Sequence, residues 1–411
     1  MPAPDAIRAE VAVVGGGLVG PALALALARL GLSVALVERT PEARRREPGF
    51  DGRAYAVALA SARALDALGL WADLEPLAAE VRAIRVGEGR TDAQGAGLLG
   101  FDPRALDEGR MAWILEDRWL RRALLDAAGA EPGIESVAPA TVVAADLDGP
   151  CARLDLADGR TVEAAVAVAA DGRRSALAAM GGIGRQVFPY AQTGLVCAIE
   201  HEREHHGLAW QSFFPGGPFA VLPLPGRRSQ IVWSERDRAA RRLAALDDGP
   251  YTLELARRLG PRLGPIRLAG ERHAYPLDLV LADAYVRPRL ALAGDAAHGV
   301  HPIAGQGFNL GMRDVAALAE TLAEAARRGE DPGSALVLGR YQTRRRFDNV
   351  TFALGMDALD RLFSNAVPLV GPLRRLGLGL VDASPGLKRR FMREAAGIEG
   401  ALPAMLKGAM P

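Results

Sequence analysis

The chain has 411 residues, of which 49% are hydrophobic and 5% aromatic, enough for two or three domains with largely aliphatic cores. Its formal net charge of +1 argues against a dedicated nucleic-acid-binding protein, and its two cysteines, Cys151 and Cys197, indicate no disulfide framework, CxxC redox pair or zinc site. Residues 1–10 lack the apolar core of a signal peptide, and no apolar run reaches the roughly 18 residues of a membrane span, which predicts a cytoplasmic protein.

Residues 11–38 predict a strand, a glycine-rich turn, a helix and a second strand. The turn contains Gly15, Gly17 and Gly20 in the spacing GxGxxG. Glycines at these positions permit a tight turn, let the backbone approach a pyrophosphate and bring the helix close to the strand. Glu38 ends the second strand, where a carboxylate can accept hydrogen bonds from ribose hydroxyls. The stretch therefore predicts a dinucleotide-binding unit whose helix start faces an anion.

The chain from 39 to 175 alternates predicted helices and short strands. The basic run at 44–46 is interpreted as a solvated loop in preference to a phosphate contact. Turn signals and apolar spacing predict helices at 56–68 and 113–128, a strand at 81–86 with a hairpin through 87–100, a meander over 140–156, and a buried strand at 162–170. The last strand ends at Asp171 and Gly172.

Residues 186–279 predict an antiparallel sheet inserted into the nucleotide-binding domain. Short strands separated by glycine and proline turns dominate, with one helical insert at 251–259. Its aromatic residues have two possible roles, lining an apolar pocket or packing in the sheet core, and we expect core packing for most of them. They are Trp210, Phe213, Phe214, Phe219, Trp233 and Tyr275.

Residues 291–314 combine a strand end, an acid, two histidines, a glycine-rich loop and a helix start. Asp295 can bind a polyol hydroxyl, and the amides of 305–309 begin a helix whose positive end suits an anion. Asp171 and Asp295 each follow a predicted aliphatic strand, at the sheet edge where open α/β folds bind ligands. A helix at 313–328 and basic, amphipathic helices from 340 onwards complete the chain.

These motifs resemble those of the group A FAD-dependent aromatic hydroxylases, which are flavoprotein monooxygenases, and among them the ubiquinone-biosynthesis hydroxylases are the nearest group. The resemblance covers nearly the whole chain, through the segments 51–56, 116–118, 170–175, 217–224, 231–234, 301–310 and 360–365. With the element pattern, it implies an α/β fold with a Rossmann-like FAD-binding domain, an inserted antiparallel-sheet substrate domain and a helical C-terminal region. The predicted domains comprise residues 1–78, 101–185 and 280–335, then 79–100 and 186–279, and finally 336–411.

The resemblance also implies site residues. Those expected to bind FAD are Gly15, Gly17, Leu18, Val19, Gly20, Glu38, Arg39, Arg53, Arg118, Val143, Asp171, Gly172, Gly294, Asp295, Gly305, Gln306, Gly307, Phe308 and Asn309. Asp171 matches an acid linked to both FAD and NAD(P)H. The candidate catalytic residues are His298, His301, Pro302 and Arg53. For the histidines two roles stay open: tuning the phenol or flavin, or fixing the loop by hydrogen bonds.

The implied activity is hydroxylation of the aromatic ring of a polyprenylated phenol in ubiquinone biosynthesis. NADPH or NADH would be the reductant and O2 the co-substrate, through a C4a-hydroperoxyflavin that survives only in a dry pocket. The alternatives are another FAD-dependent aromatic hydroxylase or oxidoreductase of the same fold, or a non-catalytic member of a quinone-synthesis complex. A disulfide reductase would need a close cysteine pair. A flavin halogenase would need a mid-chain lysine, whereas the lysines here are Lys388 and Lys407.

The basic C-terminal region has two interpretations. Its apolar and arginine-rich helices fit peripheral contact with the inner face of a bacterial cell membrane, where a polyprenyl substrate lies, or contact with a quinone-biosynthesis protein complex. The other interpretation is a helical cap on the FAD-binding domain.

Overall fold

The structure is a computed structural model that describes residues 6–46, 49–50, 52–89, 97–300, 305–363 and 381–411. Its strands are β1 (Ile7–Val14), β2 (Val34–Val37), β3 (Ala54–Ala58), β4 (Ala79–Glu80), β5 (Ala83–Glu88), β6 (Gly97–Phe101), β7 (Ala112–Glu116), β8 (Ile134–Val137), β9 (Val142–Asp146), β10 (Ala152–Leu156), β11 (Thr161–Ala169), β12 (Arg185–His201), β13 (Leu208–Phe214), β14 (Gly217–Leu224), β15 (Arg228–Arg236), β16 (Ile266–Leu268), β17 (His273–Ala282), β18 (Val286–Arg287), β19 (Leu290–Leu292) and β20 (His298–Gly299). Its α-helices are α1 (Val19–Arg29), α2 (Glu42–Arg45), α3 (Leu59–Ala67), α4 (Trp71–Leu74), α5 (Asp117–Ala130), α6 (Ala176–Met180), α7 (Asp237–Ala244), α8 (Asp248–Leu259), α9 (Gly307–Arg327), α10 (Ala335–Phe363) and α11 (Pro385–Ala396).

The first sheet has the order β18-β19-β11-β1-β2-β8, with β10 and β9 attached beside β11. Strands β19, β11, β1, β2 and β8 are parallel to one another, and β18 pairs antiparallel to β19. The four residues of β2 and the last four of β1 are all buried, as expected for parallel strands covered on both faces. Helix α1 links β1 to β2 and buries every residue from Gly20 to Leu27. The predicted strand–turn–helix–strand unit at 11–38 is confirmed.

The second sheet has the order β20-β17-β12-β15-β14-β13-β5-β6, with β16 paired to β12. All its pairs are antiparallel except β13 with β5. Strands β12 to β17 lie in the chain between β11 and β19, so this sheet is inserted into the first one. One of its faces packs against α8, with Trp233 and Phe219 against Tyr251 and Leu255. The expected α/β fold with an inserted, largely antiparallel sheet is confirmed, whereas the residue boundaries of the three domains stay a prediction.

Two helices predicted from apolar spacing begin later than expected. Residues 54–58 and 112–116 form the strands β3 and β7, which pair so that Ala56 faces Ile114, and α3 and α5 start only after them. With β4 they make a small third sheet. Long-range pairing has overridden the local helical pattern, which carried no information about the partner strand.

Chain connections at one end of the first sheet determine where a site can form. β1, β11 and β19 are adjacent parallel strands, so their carboxyl ends meet at one edge. After β19 the chain enters β20, which pairs with β17 of the second sheet. The loops that leave the first sheet therefore lie directly against the second. In the part of the chain described above, no helix has both the length and the apolarity needed to cross a bilayer.

Candidate functional site

The sequence motifs that end β1, β11 and β19 meet in space. The Ala170 amide donates to the Val14 carbonyl at 2.8 Å, and the Ala293 amide donates to the Ala169 carbonyl at 2.9 Å. A Cβ atom on Gly294 would lie 3.0 Å from Val19 Cγ2. Because these contacts join segments that are far apart in sequence, the glycine turn and the two acidic motifs form one site.

The three glycines of the turn have different roles. Gly15 has φ of +122°, and a Cβ atom there would lie 2.2 Å from the Ala170 carbonyl oxygen. A Cβ atom on Gly20 would lie 1.8 Å from the Gly15 carbonyl oxygen. By contrast, a Cβ atom on Gly17 would meet nothing within 4 Å. Packing requires Gly15 and Gly20, whereas Gly17 leaves space open for a ligand.

Glu38 holds the turn from the end of β2. Its Oε2 accepts a hydrogen bond from the Gly16 amide at 2.6 Å, and its Oε1 accepts one from the Thr40 amide at 2.7 Å. Burial alone would raise the pKa of Glu38, but these hydrogen bonds and the charge of Arg45 outweigh it, so the pKa lies below its ordinary value. Glu38 is therefore an ionised carboxylate at neutral pH.

Arg173 connects the loops of the first sheet to the second sheet. Its Nε donates to Asp295 Oδ2 at 3.1 Å, its Nη1 to Asp278 Oδ1 at 2.5 Å, and its Nη2 to the Val300 carbonyl at 2.7 Å. Burial alone would lower the pKa of Arg173, but the charges of Asp295 and Asp278 raise it above its ordinary value. This cation fixes where the Asp295 carboxylate lies.

The Asp171 carboxylate, unlike that of Asp295, accepts hydrogen bonds from backbone amides of α6. Its Oδ2 accepts hydrogen bonds from the amides of Ala176, at 2.8 Å, and Leu177, at 3.3 Å, and so caps α6. Its Oδ1 is buried and has no hydrogen-bond partner among the atoms that the structure describes. The lining of the cavity between the two sheets includes the neighbours Ala170 and Gly172 but not Asp171, so the role that the structure shows for Asp171 is to cap α6.

The glycine-rich loop begins α9 next to β3. Gly305 has φ of +63°, and a Cβ atom there would lie 3.0 Å from Ala56 Cβ, whereas a Cβ atom on Gly307 would meet nothing within 4 Å. Asn309 Oδ1 accepts from the Ala58 amide at 2.9 Å, and its Nδ2 donates to the Ala56 carbonyl at 2.9 Å. Asn309 thus fastens α9 to β3 and leaves the helix start facing open space.

A cavity of about 770 Å³ lies between these loops and the second sheet. At the first-sheet end its lining includes Gly17, Leu18, Val19, Ala170, Gly172, Arg173, Ala293, Asp295, Val300, Gly305, Gln306, Gly307 and Phe308. Of the sheet aromatics, Trp210, Phe213 and Tyr275 also line it, whereas Phe214, Phe219 and Trp233 are buried in the core. Both predicted roles occur: three of these aromatic residues line the cavity, and the other three pack in the sheet core.

The other predicted residues lie at varied positions. Arg53 lines the cavity, with its Nη2 3.6 Å from Asp117 Oδ2. Arg118 donates to Glu116 Oε2 at 2.7 Å and stacks on Phe50 and Trp119, outside the lining. Arg39 is exposed after β2, and Val143 is 54% exposed on β9, neither of them among the lining residues. His301 and Pro302 lie outside the described residues, and the roles of all these residues stay a prediction.

His298 takes part in a buried polar cluster. It is 0% exposed and does not line the cavity, and its Nε2 lies 2.5 Å from Asp314 Oδ2. Asp314 also accepts from the Gly294 amide at 3.0 Å, from Arg345 Nε at 2.9 Å and from Asn349 Nδ2 at 3.1 Å. Of the two roles left open for His298, this geometry favours fixing the loop.

The charge of this cluster is settled by the neighbours of Asp314. Burial alone would raise the pKa of Asp314, but the charges and hydrogen bonds of His298 and Arg345 outweigh it, and the pKa lies well below its ordinary value. The carboxylate is therefore ionised, and it holds the loop after β19, α9 and α10 together.

Sequence reasoning missed three residues that organise the site: Arg173, Asp314 and Arg345. A signal existed for Asp314, because Leu310, Ala317 and Leu318, three and four positions away on α9, are apolar and place Asp314 on the buried face, where an acid requires partners. The pairing of Arg173 with Asp278 had no such signal, because the two residues lie far apart in sequence.

Replacing Asp314 by Asn should lower the free energy of unfolding at pH 7 by about 3–5 kcal/mol, because it removes the buried charge partner of Arg345 and leaves that guanidinium, among the described residues, only the exposed Asp348 as a charge partner. Since the native pKa is depressed below the ordinary value of 3.8, the carboxylate stabilises the fold above that pH and less as the pH falls. Urea unfolding of both proteins should therefore show a difference that shrinks below pH about 4.

The matched control is Asp348→Asn, because the Asp348 side chain is 59% exposed and lies 3.5 Å from Arg345 at the cluster's edge. It should change stability by at most about 1 kcal/mol. Equal losses in the two variants, or a loss for Asp314→Asn that is independent of pH, would contradict this account.

The chain is similar to known proteins over most of its length. Residues 8–348 match the family model described as FAD binding domain. The chain is 46% identical to the ubiquinone hydroxylase UbiL of Rhodospirillum rubrum, over 95% of this chain and 90% of that protein. It is 35% identical to the 3-demethoxyubiquinol 3-hydroxylase of Escherichia coli, over 95% of this chain and 98% of that protein.

A solved structure shares the fold. The p-nitrophenol 4-monooxygenase from Pseudomonas putida superposes with a TM-score of 0.80 over 96% of this chain and 99% of that one, at 21% sequence identity. These comparisons confirm the resemblance stated from the motifs. The chain belongs to the group A FAD-dependent aromatic hydroxylases, within the family that includes the ubiquinone-biosynthesis hydroxylases.

Proposed function

We propose that this protein is a monooxygenase that hydroxylates the aromatic ring of a polyprenylated phenol in ubiquinone biosynthesis, with FAD, NAD(P)H and O2. The observation that carries the proposal is the cavity, which has dinucleotide-binding loops at one end and an apolar sheet face along the rest. The two relatives above are named for hydroxylation of ubiquinone and of 3-demethoxyubiquinol. A ring with a long apolar tail fits such a cavity better than a small polar phenol does.

The residues present fit FAD. The open space at Gly17 and Gly307 gives two places where backbone can approach a ligand, and the Asp295 carboxylate, which lines the same cavity, can accept a hydrogen bond from a polyol hydroxyl. We assign the ADP half to residues 15–20 with Glu38, and the flavin half to Asp295 and residues 305–308. When bound, FAD would accept two electrons from NAD(P)H and use them to activate O2, chemistry that no protein side chain provides.

The protein's contribution is charge placement. Gly307 starts α9, a helix of 21 residues, and both Gly305 and Gly307 line the cavity. The unpaired amides and the positive end of the helix dipole favour negative charge at this place, so they would stabilise a reduced, anionic ring. Arg173 holds Asp295 in position for a polyol hydroxyl.

The cavity wall is largely apolar and offers few acid–base groups. Among its described lining residues the carboxylates are Asp295 and Glu394, and Arg173 engages the first of them. Tyr55 lines the cavity as well, and burial, with the charge of Asp117, raises its pKa, so it stays a neutral hydroxyl at neutral pH. The chain therefore acts mainly by positioning the ring in a largely apolar cavity.

The assignment of the glycine turn can be tested without turnover. Gly17→Ala should leave the stability of the apoprotein unchanged, because its Cβ meets nothing within 4 Å, but should weaken FAD binding about tenfold or more. Gly20→Ala should destabilise the apoprotein itself, because its Cβ would lie 1.8 Å from backbone. Thermal melting of the apoproteins and FAD fluorescence titration measure the two effects. Full FAD affinity in Gly17→Ala would contradict the assignment.

The reaction can be tested with purified, FAD-loaded protein and a polyprenylated phenol. We expect substrate-stimulated oxidation of NADH or NADPH and incorporation of one atom from ¹⁸O2 into the ring. Asp295→Ala should lower turnover about tenfold or more, whereas Asp283→Ala, at an exposed position outside the lining, should change it by at most about twofold. A yellow protein with neither activity would favour the alternative of a non-catalytic member of a quinone-synthesis complex.

We further propose that α11 contacts the membrane surface. Leu387 and Phe391, four residues apart on one helix, are 42% and 50% exposed, and Arg390 beside them is also exposed. An exposed apolar pair next to basic side chains is the pattern of helices that lie in a bilayer interface. This location would bring the protein to a substrate that is dissolved in the bilayer.

Vesicle sedimentation tests the membrane contact. The double variant Leu387→Asp, Arg390→Glu should bind phosphatidylglycerol vesicles about tenfold more weakly, since it removes apolar area and a cation together. Leu336→Asp, at a leucine that is 72% exposed on α10, is the control and should bind like the unmodified protein. Equal binding by all three proteins would assign α11 to the cap interpretation instead.

A further inference from the structure

The second sheet has two apolar faces, of which one packs against α7 and α8 and part of the other lines the cavity. Along β12, β14 and β15, side chains alternate, so that Trp233 and its cross-strand neighbours Leu195 and Phe219 face α8. Val196 and Val232, on the opposite face, line the cavity and are only half-buried. This second face is apolar, and at Val196 and Val232 it borders the cavity.

The strand register aligns this face into one continuous row. Each of its residues is the direct cross-strand partner of the next. All of them line the cavity, and Gln211 is the single polar member. The row consists of Val196, Val232, Ala220, Gln211, Val86 and Leu99. Because neighbouring strands lie about 4.8 Å apart, five steps make a bed about 24 Å long.

The two ends of the row differ. At the β12 end, a Cβ atom on Gly52 would lie 3.6 Å from the Cys197 Cα, so the segment that leads into β3 and the proposed flavin loops is close by. At the other end, β6 is the edge strand of the sheet. There the Gly100 amide donates to Asp382 Oδ1 at 3.4 Å, and Arg389 Nε donates to the Ala105 carbonyl at 3.0 Å, which holds α11 beside the edge.

Phe391 lies where the cavity reaches the surface. It lines the cavity together with Met392 and Ala395 of the same helix, yet it is 50% exposed. A side chain that is in both the cavity lining and the solvent-exposed surface forms part of a mouth. Among the residues that the structure describes, the row therefore leads from the ring-binding end to an opening between β6 and α11.

We propose that this row is the binding site for the isoprenoid tail of the substrate, and that the tail leaves the protein between β6 and α11 past Phe391. The inference rests on the proposed function and adds a subsite to it. A long apolar row that reaches the surface beside a helix suits an isoprenoid chain. The far end of such a chain can stay in the bilayer while the ring is bound. Leu99 and Phe391 are then residues that determine specificity for tail length.

The test compares two phenols with the same ring, one carrying a single isoprene unit and one carrying a long polyprenyl tail, both in detergent micelles. Phe391→Glu should raise KM for the long-tailed phenol about tenfold, because it places a charge on the tail path, and should leave kcat/KM for the short-tailed phenol within about twofold. Leu99→Trp, which fills the inner end of the mouth, should have the same selective effect. Leu336→Glu, outside the cavity, should change neither substrate.

The outcomes separate the two proposals. If the unmodified protein hydroxylates neither phenol, the proposed function is wrong. If it hydroxylates both, but Phe391→Glu and Leu99→Trp affect the long and short tails equally or not at all, the tail site is wrong and the proposed function stands. FAD absorbance and thermal melting of each variant identify any variant that fails to fold. If the variant at the buried Leu99 does not fold, the variant at the half-exposed Phe391 still decides the question.

Discussion

The buried carboxylate of Asp314 determines how the two sheets meet. It accepts hydrogen bonds from the Gly294 amide and from Arg345 and lies against His298, so one ionised group joins the end of β19, the start of β20 and both long helices. Strand β20 in turn pairs with β17 of the second sheet. A buried charge is tolerated only with its full set of partners, so this cluster permits one arrangement of the loop. The position of Asp295 follows from it.

The two sheets then perform separate tasks at one cavity. The first sheet brings three strand ends together, and their loops supply glycines, helix amides and the Asp295 carboxylate. The second sheet supplies an apolar face, and Arg173 bridges the two through Asp295 and Asp278. Polar recognition of a cofactor and apolar recognition of a substrate need opposite environments. Because the polar loops belong to the first sheet and the apolar face to the second, each environment is formed by its own set of residues.

Features with a local signal were predictable from the sequence, and features that depend on distant partners were not. The spacing of Gly15, Gly17 and Gly20 predicts the first turn, and the structure places that turn beside Asp171 and Asp295 as expected. The pairing of β3 with β7, and of Arg173 with Asp278, joins segments that no short window contains. For His298 the residue type indicated importance, but only its burial distinguishes a loop anchor from a group that touches substrate.

The half-buried face of the second sheet shows why its register matters for function. A row of apolar side chains facing a cavity would ordinarily be covered by a helix, as the opposite face is by α8. A slip of one residue in any strand would move that strand's cavity residue to the packed face and break the row. The turns and the buried aromatics of the packed face, Trp233 and Phe219 among them, oppose such a slip. The core that faces away from the site therefore maintains the apolar surface that faces it.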